Sequence, residues 1–413
     1  MNTNTNQLNR SSHRIHSIDA VRATALLGIL IVHCNYGFAS APEANVGNIF
    51  PQWVNTAVDF FVHQFISLKF FMVFIFLFGL SFFFQMDHAA QQGEDFRGRF
   101  CVRLFWLFIF GLLHVSFYRD DVLTLFSVLG FLLVLTWKVP VKYTIAVAAI
   151  CLLQPFWLIS VITGNPAMIH DFLDKYVHIT PLFPATDQSW GDIALNNVSG
   201  QYLCRWIYWE LPSGRLMATI GMFFLGMLAG KSRLFEQKPA VLLKVACWGM
   251  VGCIGLAIAT LITFCIVWNV DELITMIVAK SDCAQGKNFL RYMIFVINEL
   301  SIFIVAPFLA WLYSLKSLSK LVRPLTAIGR CTLTCYITQG MIMTAFFYSW
   351  GAGMWGKLDC ASYTLAGIIL YSIQMVFCTL WLKKFKYGPL EGIWRYLTRL
   401  GYKPKHQAEK GKA

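Results

Sequence analysis

A chain of 413 residues in which 57% are hydrophobic and only 13% are charged is not an ordinary soluble protein, whose domains carry roughly 25% charged residues. The formal charge of +13 would suggest nucleic acid if the basic residues formed one patch. Here they stand as short clusters between apolar runs, the pattern of cytoplasmic loops, so a lipid bilayer is the expected partner and nucleic acid is not. Most of the twelve cysteines, among them Cys101, Cys151, Cys247, Cys253, Cys265 and Cys378, lie inside apolar runs without zinc-ligand spacing, and no metal site is expected. The Cys331/Cys335 pair shares one helix face without a His or Cys partner nearby in sequence. Cys34, Cys204, Cys283 and Cys360 fall in or near outer segments, where a disulfide is chemically allowed.

In chain order, the first sixteen residues are polar and show no cleavable signal. A span needs about 20 mainly apolar residues, and ten segments qualify, roughly 19–38, 58–84, 100–118, 121–137, 143–162, 214–230, 241–268, 290–315, 325–348 and 362–384. The 58–84 run reads as an interfacial stretch followed by a span from near Phe65, and the turn at Tyr118–Asp121 makes the third and fourth spans a hairpin. The fold class expected is therefore all-α, a polytopic transmembrane helix bundle of about ten spans. Arg10 and Arg14, the Arg97/Arg99/Arg103 cluster, Lys138/Lys142, Lys231/Arg233/Lys238, Lys316/Lys320/Arg323 and the tail from Lys383 fall in alternate loops, while residues 39–57 have no Lys or Arg and 349–361 only Lys357. The positive-inside rule then places both termini in the cytoplasm. The organisation is a cytoplasmic N-terminus (1–18), a bundle of about five helices (19–162), an outer loop (163–213), a second bundle of about five (214–398) and a polar, disordered tail (399–413). The outer loop carries Pro166, Pro181, Pro184 and Pro212 with Trp190, Tyr202, Trp206 and Trp209, and reads equally as a lid or as a connector with interfacial anchors. No internal repeat is evident, which weakens an inverted-repeat transporter.

Ionisable groups inside spans are costly and mark function by default. On the first helix Asp19 and Arg22 are spaced to pair at the helix start. His33, eleven residues after Arg22, falls within about 20° of the same face and about 21 Å from Asp19 along the axis. The third helix repeats the spacing, with Arg99 and Arg103 at the inner end and His114 eleven residues beyond Arg103, followed by Tyr118, Asp120 and Asp121. Both imidazoles thus approach the outer face, where a base and an orienting carboxylate can be built from them. The plainer reading is that Asp120 caps the fourth helix and His114 is a satisfied interior residue. Lys69, Asn298, Glu299, Arg330, Tyr336 and Gln339 are also intramembrane. Lys69 suits a substrate anion or snorkelling, Glu299 and Arg330 are placed to pair across helices, and Gln339 suits helix–helix hydrogen bonding. No P-loop, HExxH, GxSxG or placed GxGxxG occurs.

The runs RIHSIDAVRATALLGILIVH (14–33), SLKFFMVFIFLFGLSF (67–82), RLFWLFIFGLLHVSFYRDDVLTLFSVLGF (103–131), GRLMATIGMFFLGMLAGKSRLF (214–235), AIGRCTLTCYITQG (327–340) and KYGPLEGIWRYLT (386–398) together resemble the YeiB-like family of bacterial inner-membrane proteins, a group without an assigned activity. That pattern is matched by Asp19, Arg22, Lys69, His114, Asp121, Gly329–Arg330, Tyr336, Gln339 and Gly388–Pro389–Glu391–Arg395. His33 departs from it, standing where relatives often carry Asn. The first helix is also similar to the opening D-x-x-R and following His of the transmembrane acyltransferase superfamily, which includes acyltransferase-3 and heparan-α-glucosaminide N-acetyltransferase-like proteins. This resemblance implies a tunnel through the bundle, acyl-CoA as donor substrate from the cytoplasm, an outer acceptor, and catalysis by His33, His114 and Asp121. Arg97, Arg99 and Arg103 would meet the CoA phosphates, and no other cofactor is implied. Asp19, Arg22, Lys69, Glu299, Arg330 and Gln339 remain as substrate-facing or structural polar groups. The competing readings are a small-solute transporter or exporter, motivated by the intramembrane charges, and a non-catalytic membrane protein in which both histidines are silent.

Overall fold

The computed structural model describes residues 16–37, 49–118, 120–165, 189–198, 214–268 and 284–400. The N-terminal arginines, most of the outer loop, Cys204, Cys283 and the polar tail lie outside the described residues. Every described element is helical, with no strand among the described residues. In order these are α1 (His16–Val32), α2 (Gln52–Phe61), α3 (Lys69–Gln91), α4 (Arg97–Val115), α5 (Leu123–Thr136), α6 (Val141–Leu152), α7 (Pro155–Ile162), α8 (Trp190–Val198), α9 (Arg215–Lys231), α10 (Pro239–Trp268), α11 (Ala284–Leu300), α12 (Ile302–Ser314), α13 (Ser319–Arg330), α14 (Thr332–Phe347), α15 (Cys360–Lys384) and α16 (Pro389–Arg399). Among the described residues six helices are long and apolar enough to cross a membrane, and the α6–α7 pair, bent by 46°, would make a seventh. The other expected segments are helical too, but α5, α9 and α14 are each shorter than a full span, and the 325–348 segment is divided between α13 and α14 at Cys331.

Burial shows which helices are central. The apolar stretch of α1 is 67% buried and that of α10 only 11%, so α1 is wrapped by protein while α10 turns Trp248, Ile254, Ile258, Ile262 and Ile266 outward. An apolar surface of that extent suits hydrocarbon rather than water. α1 packs against α3, α12, α13, α14 and α15, and Gly329 of α13 lies so close to the Asp19 carbonyl that a Cβ there would overlap it. The interfacial stretch expected before the second span is α2, whose Trp53, Phe60 and Phe61 are exposed. Leu68, with φ +62°, breaks the chain before α3 begins at Lys69.

α2 is locked to the start of α15 by one carboxylate. Asp359 Oδ2 accepts from the Phe50 backbone N–H (2.7 Å) and from Asn55 Nδ2 (3.2 Å), and Oδ1 accepts from the Ser362 N–H (3.0 Å). Burial raises the Asp359 pKa, but the hydrogen bonds from Ser362, Phe50 and Asn55 outweigh it and hold the group at about 2. A depressed carboxylate stabilises the fold fully above its ordinary value of 3.8 and loses that contribution as pH falls toward about 2. Asp359→Ala should therefore cost about 1–2 kcal/mol at neutral pH, as loss of a helix cap does. Thermal unfolding in detergent checks this: the deficit against wild type should shrink through that acid window, and a deficit constant with pH would refute the cap.

Candidate functional site

The α4–α5 hairpin builds the first part of the site. His114, in the last turn of α4, is 1% exposed, and its Nδ1 lies 2.8 Å from Asp121 Oδ1. A carboxylate oxygen only accepts, so Nδ1 carries the hydrogen, and in the neutral imidazole the lone pair is then on Nε2. Asp121 Oδ2 accepts from the Thr124 backbone N–H (2.9 Å) and hydroxyl (3.0 Å). The capping role expected of Asp120 at the start of α5 is thus performed by Asp121, with one oxygen, while the other orients His114. Both alternatives for His114 meet in one carboxylate. The imidazole's second nitrogen, Nε2, is buried with no hydrogen-bond partner among the described residues. It lies against Gly340 of α14, where a Cβ would collide with it.

Two tyrosines frame the ring. Tyr336 of α14 lies with its ring 4.9 Å from His114 and its hydroxyl accepting from the Val122 N–H at 3.2 Å. Tyr118 lies 6.1 Å from His114 and 5.0 Å from His33, which opens a short π-helical turn (His33–Gly37) after α1. Such turns are rare and frequent at functional sites. His33 and His114 are therefore brought together through Tyr118. Arg215, the first residue of α9, also lies within electrostatic reach of His33. Sequence reasoning passed over Arg215; its signal was a basic residue just after the outer loop, away from every other basic cluster.

A cavity of about 240 Å³ runs between α1, α3, α4, α5, α13, α14 and α16. At one end stand Arg22, Arg103, Arg330, Lys386 and Arg395 with Glu391; at the other lie Leu123, Phe126 and Tyr336. Tyr336 thus separates the cavity from His114, and neither histidine lines the cavity itself. Arg103 stacks 3.9 Å over Trp394, whose indole N–H donates to the Arg103 carbonyl at 2.9 Å, so α16 is clamped beneath the bundle. Glu391 accepts from the Leu333 and Thr334 backbone N–H groups (2.7 and 3.1 Å) and from the Thr334 hydroxyl (2.6 Å), capping α14; burial pushes its carboxyl above the usual range.

The remaining predicted residues are placed as follows. Of the three arginines expected at the basic mouth, Arg103 alone lines the cavity. Arg97 is paired with Asp95 at 2.6 Å, whose carboxyl it holds at about 2, and Arg99 with Glu94 at 3.3 Å. Short acidic neighbours in the preceding loop divert both. Lys386 and Arg395, unassigned from sequence to this mouth, take their place because α16 folds back under α4. Arg22 pairs with Asp19 at 3.0 Å as expected, and also donates to the Gly329 carbonyl (3.2 Å) and Ser81 Oγ (2.8 Å). The expected Glu299–Arg330 pair does not form: Glu299 takes Gln154 Nε2 at 2.5 Å, and Arg330 donates to the Lys386 carbonyl at 2.8 Å. Gln339 bonds Gln374 across helices at 2.8 Å. Lys69 opens α3 half-buried, away from the cavity lining. Cys335 and Cys378 are in contact (3.4 Å between sulfurs) as free thiols; Cys34 and Cys360 are also free thiols, Cys34 against Met343 and Cys360 donating to Asn35 Oδ1 at 3.1 Å.

Residues 229–401 match a family described as a protein of unknown function, DUF418. Over its length the chain is similar to the uncharacterized protein YxaH of Bacillus subtilis (strain 168), at 28% identity over 95% of this chain and 96% of the relative. It is also similar to the uncharacterized protein YeiB of Escherichia coli (strain K12), at 26% identity over 92% and 95%. An uncharacterized 39.9 kDa protein of Bacillus acidopullulyticus matches at 25% identity over 93% and 94%.

Proposed function

We propose that this chain, a member of the YeiB-like family, is a membrane acyltransferase that passes an acyl group from cytoplasmic acyl-CoA to a hydroxyl or amine acceptor on the outer side, an envelope glycan, a lipid or a small molecule. In this reading the ten apolar segments are ten spans of a bacterial inner-membrane protein, both termini are cytoplasmic, and the basic mouth faces the cytoplasm. The observation that carries it is the His114–Asp121 pair set behind Tyr336 at the closed end of a cavity whose other end is ringed by arginines. Arg103 and His114 are eleven residues apart on α4, about 16 Å at the helical rise. A slender ligand held at the arginines reaches as far as Tyr336, and this reading requires the Tyr336 ring to turn aside for the acceptor to meet the imidazole. A cavity of 240 Å³ suits a thin acyl-pantetheine arm and leaves the nucleotide and its phosphates outside against Arg103, Arg330 and Arg395. In transfer, the acceptor oxygen or nitrogen forms a bond to the thioester carbon and His114 Nε2 takes its proton. The carbon–sulfur bond breaks, and the proton passes to the departing thiolate. Asp121 holds the imidazole in the tautomer this requires.

The test uses the full chain purified in detergent, with binding and turnover of acetyl-CoA and a long-chain acyl-CoA measured at two salt concentrations. Arg103→Ala and Arg395→Ala should each weaken binding about 10- to 100-fold, the worth of a charge-assisted hydrogen bond, with the loss smaller at high salt. Absence of binding of any acyl-CoA to the wild type would overturn the proposal.

A further inference from the structure

A second polar cluster lies away from the cavity, around Glu299 on α11. The residue is fully buried, and its Oε1 accepts from Gln154 Nε2. Its other oxygen, Oε2, has no hydrogen-bond partner, and no Lys, Arg or His pairs with Glu299 among the described residues. A carboxylate inside an apolar bundle needs its charge matched, and a neutral amide on one oxygen does not match it. Cys151 and Tyr292 are titratable side chains within its electrostatic reach, and neither is a cation. The basic residue that the adjoining α9 brings nearby is Arg215, next to Gly214, with its guanidinium 5.0 Å over the Phe71 ring. Lys287 and Arg291 share α11 with it, but stand eight or more residues away, beyond two helical turns.

Around this carboxylate two backbone positions leave the helical conformation. Gln154 is left-handed (φ +50°) at the bend between α6 and α7. Gly214 is left-handed (φ +74°) at the start of α9 and so close to the Gln154 amide that a side chain there would strike it. Ser301, two residues after Glu299, keeps helical dihedrals (φ −59°, ψ −14°), so α11 runs on into α12 as one helix. Non-helical backbone inside a membrane bundle is tolerated where it serves a cavity or an ion. From Glu299 a polar stripe climbs α11. Tyr292 and Asn288, seven and eleven residues earlier, each fall within about 20° of the Glu299 face. Tyr292 donates to the Leu153 carbonyl at 2.8 Å; Asn288 accepts from the Trp157 indole at 2.9 Å and donates to Ser160 Oγ at 3.3 Å. The partners all come from the α6–α7 bend and α7, so the stripe and the bend form one polar seam leading to the bare oxygen.

We infer that Glu299 Oε2 is a binding site for a small monovalent cation, a proton or a sodium ion, reached along the Asn288–Tyr292 seam. The inference stands apart from acyl transfer, since none of these residues touches His114 or lines the basic cavity. The Gln154 amide holds the carboxylate in place, and occupancy neutralises it where the α6–α7 bend meets the start of α9. Cation binding is therefore coupled to how α6–α7, α9 and α11–α12 pack.

The experiment is infrared difference spectroscopy on the full chain in lipid, wild type against Glu299→Gln, with sodium or with a large organic cation as the only salt, from about pH 5 to about pH 9. A protonated-carboxyl band absent from Glu299→Gln and indifferent to sodium identifies a proton site. A band that sodium converts to carboxylate identifies a sodium site. Asn288→Leu should leave the equilibrium spectrum in place and slow its response to a pH or sodium jump about tenfold or more. A Glu299 carboxylate signal unchanged by pH and by sodium would overturn the inference. Labelling by a hydrophobic carbodiimide, mapped by mass spectrometry, is an independent readout: attachment at Glu299 should be blocked by sodium or by alkaline pH, and attachment insensitive to both would also overturn it. Acyl-CoA binding by Glu299→Gln should equal that of wild type, which separates failure here from failure of the acyltransferase reading.

Discussion

His114→Ala is expected to lower acyl-CoA turnover about 10²- to 10⁴-fold, the usual contribution of a positioned general base, with acyl-CoA binding close to wild type. The split follows from geometry, because Arg103, Arg330 and Arg395, which the proposal assigns to the CoA phosphates, line the cavity and His114 does not. Asp121→Asn tests the same device more sharply. An amide of the same shape can still accept from Thr124, but can donate to His114 Nδ1 where the carboxylate accepted. The lone pair then moves to Nδ1, and Nε2 carries a hydrogen in place of the pair that takes the acceptor's proton. Turnover should fall nearly as far as in His114→Ala with little change in fold. Asp121→Ala should instead destabilise the protein, since it removes a hydrogen-bonded partner from both a buried imidazole and the start of α5. His33→Ala distinguishes the two histidines, for the His33 ring packs 5.0 Å from Tyr118, whereas His114 is hydrogen-bonded to Asp121. A turnover loss in His33→Ala larger than in His114→Ala would move the base to His33 and refute the assignment.

What the sequence made legible was depth along each helix, and what it hid was direction around it. Apolar length located segments that are helical among the described residues, six of them long enough to cross a membrane. The eleven-residue spacings put His33 and His114 toward one end of their helices and Arg22 and Arg103 toward the other. Spacing within one helix could not say which neighbour each face would meet. Glu299 and Arg330 both lie in expected spans and are of opposite charge, yet one turns to the α6–α7 bend and the other to the chain after α15. Arg97, Arg99 and Arg103 look alike as a cluster, but helix rotation points Arg103 into the cavity, while Asp95 and Glu94 hold the other two outside. Lys386 and Arg395 join the mouth through a tertiary fold-back, carried by the Trp394–Arg103 stack and the Glu391 cap, which no local pattern near Arg103 announces. The short helices were a different difficulty. Cys331 divides α13 from α14, and Gln154 divides α6 from α7, inside runs whose hydropathy is continuous.

Gly340→Ala carries the remaining large effect, and it bears on the site whatever its chemistry proves to be. Alanine is the better helix former by about 0.5–1 kcal/mol, so at an open position in α14 the change would stabilise the protein. Here the added methyl would fall on His114 Nε2, and the ring has little room to yield. Asp121 holds its other nitrogen, with Tyr336 4.9 Å and Tyr118 6.1 Å away. Overpacking of this kind costs about 1–3 kcal/mol, which exceeds the helix-propensity gain, so a net loss of thermal stability is expected. Turnover should fall as well, because the methyl covers or displaces the nitrogen that takes the proton, while affinity for acyl-CoA at the basic mouth should not change. The double variant His114→Ala/Gly340→Ala decides whether the contact is the cause. With the imidazole gone, the methyl at position 340 has space, and the destabilisation by Gly340→Ala should vanish or reverse in that background, a coupling of the size neighbouring residues show. Strictly additive losses would mean that Gly340 is required by its own helix rather than by His114, and the close seat assigned to the imidazole would be wrong.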